Sequence, residues 1–465
     1  MKYLTLPLAL LAFGLSYPSW SQTTDSIRTE KQLFSLQECL LYAYQHNANV
    51  ENAALEEGIA QADVGITKSQ GLPQVNVDVT YDNNYSIQTQ FLPAVFFADD
   101  PTTVPSDAPP VPVAFGVPHT GRAGASLSQM IFDGSYFVGL KAARVYTSLA
   151  SKQLDQTKAV TAEQVSKAYY TALVNQERQT LLTSNYQRLD TLLRETKLMF
   201  ENGFAERIDV SRIQVQFNNA KTEVEANERL TEVSYLLLKF QMGMPIDREI
   251  QLADRIRDIE LGEEIAPDES FNYGDRPEFA QLLVNQKLVQ LDKRNNAVQY
   301  LPKLTANLNY GYNSGVDEFS NLTDFGEQWF EYGSFGFNLN VPIFDGLRKH
   351  HAIQRNKLQL RQLENQADFL KNQIDLEIVQ ARVNLQNGLE ALKVQQENLD
   401  LAQEVFDVAK IKYQEGVGSN LEVTESQNAL RQAETNYYNA LYNALVAKID
   451  LKKALGTLVH NSASN

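Results

Sequence analysis

The chain has 465 residues, is 43% apolar and carries a net charge of −16 with a single cysteine. Such acidity suits nucleic acid poorly, and one cysteine excludes an intrachain disulfide. Past the N-terminal leader no apolar run reaches the ~18 residues a spanning helix needs, so a membrane crossing by the mature chain would have to be made of strands.

Met1-Lys2, an apolar run from Leu4 to Leu15 and the triplet Ser19-Trp20-Ser21 read as a secretory leader over residues 1–21, cleaved after Ser21. Losing Lys2 with it takes the charge from −16 to −17. No cysteine stands directly after the cleavage point to accept a lipid, and Cys39 is expected to pack as a small hydrophobe on a helix. Residues 22–33 read as an N-terminal tail.

Residues 34–245 read as a helix, two strands and two further helices. Val75, Val77, Val79 and Tyr81 alternate with Asn76, Asp78, Thr80 and Asp82, the period of a half-buried strand. Its partner carries Ala123, Ala125 and Leu127 before Ile131-Phe132-Asp133-Gly134. The Pro- and Ser/Thr-rich stretch from Pro101 to Pro118 between them reads as an exposed loop. No proline lies between Pro118 and Pro245, and a continuous helix from Gly134 to Phe200 would be roughly 100 Å long at about 1.5 Å per residue. It ends at the turn Phe200-Glu-Asn-Gly203-Phe204, beyond which a second helix follows.

Residues 246–274 form an acidic, mixed-charge linker, after which residues 275–456 repeat the order and 457–465 form a C-terminal tail. The second strand pair carries Leu304, Ala306, Leu308, Tyr310 and Tyr312, then Phe335, Phe337, Leu339 and Val341. Beyond Pro342 the chain is again proline-free. Ala381, Leu385, Gly388, Leu392, Leu399, Ala402, Phe406 and Ala409 form a heptad seam, and a second apolar line runs through Leu376, Val379, Val383, Val394, Leu401, Val405 and Val408. Two seams on one helix call for neighbours on both sides, as in a stave of a cylinder.

The repeat is explicit in the letters. Phe200-Glu-Asn-Gly203 returns 213 residues later as Tyr413-Gln-Glu-Gly416, and the same offset takes Gln214 to Gln427, Ala220 to Ala433 and Gly243 to Gly456. Ile131-Phe132-Asp133-Gly134 returns as Ile343-Phe344-Asp345-Gly346, and Leu72-Pro73 as Leu301-Pro302. A period this long describes a duplicated domain rather than a solenoid. Alternation with aromatic residues suits a wall between lipid and water, and equally an ordinary hairpin on a soluble core. If the strands are in a membrane, four per chain are too few for a barrel of about eight or more, so closure requires other copies of the chain.

Catalytic chemistry has no candidate. His46, His119, His350, His351 and His460 give no metal-ligand spacing with Cys39, and there is no phosphate-binding loop or nucleophile elbow. The expectation is a non-enzymatic protein without cofactor or metal.

In duplicate, Leu-Pro before a strand, Phe-Asp-Gly before a long helix, an aromatic-x-x-Gly turn and a closing Met242-Gly243 or Leu455-Gly456 resemble the TolC family of outer-membrane efflux channels. The resemblance covers roughly residues 34–456. It implies an α+β membrane protein: a long α-helical coiled-coil barrel in the periplasm, continuous with a transmembrane β-barrel of four strands per protomer, closed as a homotrimer in outer-membrane lipid. It also implies docking to a periplasmic adaptor (membrane fusion) protein and an inner-membrane efflux or secretion pump. By the same resemblance Gly203, Phe204, Gly416 and Val417 form the periplasmic tip that meets the adaptor. Asp209 and Tyr413 match positions that hold the entrance shut; the family's lock arginine falls on Gly418, and Arg207 is the candidate substitute. Glu422 and Glu425 match an acidic pair facing the pore, although Ser419-Asn-Leu-Glu422 also reads as a helix-capping box. The alternative to the channel is a periplasmic or secreted coiled-coil scaffold.

Overall fold

In the computed structural model the described residues are 32–256, 259 and 271–458. The leader, most of both tails and much of the acidic linker therefore lie outside them. Strand β1 (Gln32–Phe34) precedes helices α1 (Leu36–His46) and α2 (Ala48–Ser69), strand β2 (Gln74–Asn83), the short strands β3 (Thr89–Leu92) and β4 (Val111–Ala114), and β5 (His119–Phe132). Then come α3 (Gly134–Glu201), α4 (Arg207–Met242), β6 (Ile250–Leu252), α5 (Pro277–Val298), β7 (Lys303–Val316), β8 (Trp329–Asn340), α6 (Arg348–Gln414) and α7 (Asn420–Ala454).

The proline-free stretches are the two longest helices, 68 residues in α3 and 67 in α6. Each forms a hairpin with the helix after it, α3 with α4 and α6 with α7, while α2 lies along α3 and α5 along both α3 and α6. On α6 the predicted seam turns inward: Ala381, Leu385, Phe406 and Ala409 are all buried. The second line stays uncovered, and Leu376, Val379 and Leu401 are 57 to 60% exposed. Residues at the upper ends of both hairpins pack with α1. Cys39 is fully buried there, and burial pushes its thiol up to about 12.

The four longer strands form one antiparallel sheet in the order β2-β5-β7-β8. Its register aligns Val77, Ala125 and Tyr310 on one face, with Val75, Leu127, Leu308 and Phe335 one step along. That face is mostly apolar and exposed, with Glu331 opposite Tyr312 toward one end: Val77 is 72%, Phe335 67% and Phe337 64% accessible. Toward the end remote from the helices it carries Tyr81, Tyr312 and Trp329, a placement suited to a membrane interface. The opposite face carries Asn76, Asp78, Ser126, Asn307, Asn309 and Asn338. Neither edge strand, β2 nor β8, pairs with another described strand along its other side.

Three local features depart from the sequence reading. The loop before β5 contains its own antiparallel pair, β3 with β4, in which Phe91 opposes Pro112; proline is tolerated on such an edge, and its presence masked the strand. A three-residue parallel pair, β1 with β6, joins the start of the chain to the linker, Phe34 opposite Leu252, and three residues are too few to display alternation. The two Phe-Asp-Gly segments also differ. Asp133 caps α3 by accepting from the Ser135 amide at 2.8 Å. Asp345 instead accepts from Lys349 N at 3.1 Å, across a turn in which both Gly346 and Leu347 have left-handed backbones.

Candidate functional site

Both helical hairpins end in the same backbone device. At Gly203 (φ +79°) and Gly416 (φ +75°) the chain enters the left-handed region, which a side chain disfavours by about 1–2 kcal/mol. Gly203 N donates to Phe200 O at 3.1 Å and Phe204 N to Met199 O at 2.8 Å; Gly416 N donates to Tyr413 O at 3.1 Å and Val417 N to Lys412 O at 3.0 Å. These pairs are Schellman caps, which satisfy the last carbonyls of α3 and α6. In many such caps the following apolar residue folds back onto the helix. Here Phe204 is 84% and Val417 80% exposed, so the tip presents two apolar side chains to solvent.

The candidate entrance residues are close in sequence to these turns but are not bonded to one another within the protomer. Asp209 accepts from the Glu206 amide at 3.1 Å, an ordinary capping role at the start of α4. Tyr413 packs beside Leu193, Ile213 and Phe406, and its hydroxyl is buried without a hydrogen-bond partner among the described residues. Arg207 is exposed and forms no ion pair among them. At Gly418 a Cβ would stand 2.8 Å from Lys412 Cβ and 3.0 Å from Tyr413 N, so the turn leaves no room there for an arginine without moving. Glu422 and Glu425 are both exposed on the first turns of α7. Ser419 accepts from Glu422 N at 3.2 Å, which is one half of the capping box; the Glu422 carboxylate makes no return bond and stays open to solvent.

Above the tip a set of polar ties joins the two hairpins. Gln414 donates to Glu195 at 2.8 Å, Gln427 to Asn185 at 2.9 Å and Arg431 to Glu223 at 2.6 Å. Glu434 is 4% exposed, 3.8 Å from Arg188 Nη2, and one of its oxygens has no partner. Desolvation outweighs the nearby arginines and pushes its carboxyl up to about 7. Sequence reasoning paired Gln214 with Gln427 as repeat positions and missed that they differ in role. Gln427 is buried between hairpins, whereas Gln214 is half-buried and bonds Asn218 on its own helix. A polar residue on the apolar face of α7, beside Leu430 and Val423, was the available signal.

The family model described as "Outer membrane efflux protein" matches residues 42–243 and 274–457, a large majority of the chain and both hairpins. The chain belongs to this family. It is similar to the outer membrane protein TolC of Vibrio cholerae, 21% identical over 428 residues, which is 91% of this chain and 91% of that protein. Its fold resembles the CmeC outer membrane channel of Campylobacter jejuni, with a TM-score of 0.71 at 16% identity over 94% of this chain and 90% of that one. It also resembles the open state of the MtrE outer membrane channel of Neisseria gonorrhoeae, with a TM-score of 0.68 at 16% identity over 91% and 89% of the two chains. As an outer membrane efflux protein the chain is a non-enzymatic export channel, set in the outer membrane by its strands and reaching into the periplasm with its helices. No described helix is long and apolar enough to cross a membrane. Family membership sets aside the scaffold without channel activity.

Proposed function

We propose that this efflux protein works as a homotrimer in which three four-stranded sheets close one barrel and three pairs of helical hairpins close one tunnel. The observation that carries the reading is a double one on a single protomer: both sheet edges are unpaired among the described residues, and α6 keeps a second apolar line exposed beside its buried seam. Unpaired strand edges in lipid would cost several kcal/mol per group, and a neighbouring copy relieves both defects at once. On this reading the apolar sheet face meets lipid and the polar face lines the lumen.

The tunnel's far end is the tip formed by Gly203, Phe204, Gly416 and Val417. Its exposed apolar pair supports docking to the helical hairpin of a periplasmic adaptor, which in turn couples to an inner-membrane pump that supplies the energy. Glu422 and Glu425 supply a ring of carboxylates at the entrance when repeated threefold. Tyr413, with Asp209 and Arg207, is assigned to closing the entrance by its match to the family's closing residues, although its hydroxyl is buried within the protomer without a partner among the described residues.

The test is the purified protein in detergent and in planar bilayers. A heat-sensitive trimer with unitary conductance is the expected result, and a monodisperse, non-conducting monomer would overturn the reading. For the adaptor, a photocrosslinker at Phe204 or Val417 should capture a protein that mass spectrometry identifies as an adaptor, while one at the exposed Leu358 should not.

A further inference from the structure

The four sheet strands carry two cations, and both are on the polar face. Lys303, at the helix-side end, is paired with Asp133 at 2.8 Å. Arg122 stands further along β5, opposite Thr80 of β2 and Asn313 of β7. It is exposed and forms no ion pair among the described residues, although Asp78 and Asp82 are on the neighbouring strand and the same face.

What holds Arg122 is an aromatic ring. Its guanidinium carbon is 5.9 Å from the centre of the Tyr332 ring, within reach of a cation–π contact. Tyr332 in turn occupies a gap made by two glycines in register, since Gly124 of β5 opposes Gly311 of β7 and Gly311 opposes Tyr332 of β8. A Cβ at Gly124 would stand 2.6 Å from the Tyr332 hydroxyl, and one at Gly311 would stand 3.0 Å from it and 2.6 Å from Gly124 Cα. The glycines let the ring lie along the wall instead of projecting into the lumen. A guanidinium beside that ring makes no direct ion pair with a described carboxylate, although Asp78 and Asp82 are its diagonal neighbours, and it stays exposed.

We propose that Arg122, positioned by Tyr332 over the Gly124–Gly311 gap, forms an anion-contact collar inside the barrel, where three copies meet the carboxylate or other oxyanion groups of passing molecules. The proposal rests on the three-chain barrel and on the polar face lining its lumen. Arg122 sets a cation among the Asp78 and Asp82 carboxylates of the barrel wall, far along the channel from the acidic entrance. It offsets part of the cation preference that Asp78 and Asp82 impose beside it and that Glu422 and Glu425 impose at the entrance. Arg122 is the contact residue, and Tyr332 acts through it.

The experiment is the reversal potential of single channels in a potassium chloride gradient, repeated with potassium acetate, for the wild type, Arg122→Gln, Tyr332→Phe and Tyr332→Leu. Arg122→Gln should raise the potassium-to-chloride and potassium-to-acetate permeability ratios by roughly twofold or more, as expected for loss of a charge ring in a pore. Tyr332→Phe keeps the ring and should match the wild type, whereas Tyr332→Leu should move partway toward Arg122→Gln. Wild-type ratios in Arg122→Gln channels would overturn the collar alone. Absence of conductance from every protein would overturn the three-chain barrel, and the collar with it.

Discussion

Glu434 of α7 and Arg188 of α3 face each other across the seam between the two hairpins at 3.8 Å, too far for a good hydrogen bond, with the other Glu434 oxygen unpartnered. Arg178 of α3, Glu223 of α4 and Arg431 of α7 complete the charged surroundings. The folded chain holds this carboxyl near 7, above its ordinary 4.5, so between those values the folded state binds more protons than the unfolded one. Stability should therefore fall as pH rises from 4.5 to 7, with the full penalty present above 7. The difference corresponds to about 3 kcal/mol as an upper figure. Glu434→Gln should raise the Tm at pH 8 and flatten its pH dependence between 5 and 8, measured by calorimetry in detergent. A mutant slope equal to the wild type's would assign that dependence to other groups.

Gly203→Val should cost about 1–2 kcal/mol through its left-handed backbone alone, because a Cβ there meets nothing within 4 Å. The trimer should survive while export, read from susceptibility to toxic compounds, declines. Gly203→Asn, which tolerates that backbone, should retain export. Loss of export by the asparagine variant would mean that the glycine's lack of a side chain, rather than its backbone, serves the docking contact.

These turns were the most legible part of the molecule. Gly203, Gly243, Gly416 and Gly456 all have positive φ, and the duplicated letters mark all four. Long helices and alternating strands were legible for a related reason: proline-free length and strict period come from backbone constraints that each residue carries locally. What could not be read was set by contacts between distant segments. Phe34 pairs with Leu252, Asn185 bonds Gln427, and Tyr332 rests over Gly124 and Gly311, and none of these has a local signature. Asp209 was readable as an acid after a turn, yet its capping of Glu206 competes with any wider role and appears only in the geometry.

The exposed line on α6 should be the most sensitive place for assembly. Val394 and Leu401 are 51% and 60% exposed in one protomer, and burying such a side chain contributes about 1.5–3 kcal/mol. Val394→Asp with Leu401→Asp would place carboxylates in three copies of an apolar seam. Trimer should be lost by size-exclusion chromatography with light scattering, while helix content by circular dichroism stays close to wild type. An intact trimer would place the protomer contact elsewhere.

Glu422→Gln combined with Glu425→Gln should lower cation preference without altering stability, since neither carboxylate is paired among the described residues. Ser419 keeps its bond to the Glu422 amide in both forms, so the start of α7 is preserved. Single-channel reversal potentials are the readout. Unchanged selectivity would place these two carboxylates on an outer face of the tunnel.

Tyr413→Phe separates packing from locking. The hydroxyl is buried without an acceptor among the described residues of its own protomer, and Asp209 is engaged by the Glu206 amide. Removing an unpaired buried hydroxyl takes away a desolvation cost, so the protomer itself should be unchanged or stabilised by up to about 1 kcal/mol. To bond a neighbouring protomer at the entrance the hydroxyl must first turn out of this buried site, and there it behaves differently. Its loss should widen the entrance and raise the resting single-channel conductance while the Tm holds. If conductance stays at the wild-type level, Tyr413 belongs to the apolar packing with Leu193, Ile213 and Phe406, and closure must depend on other contacts at the tip.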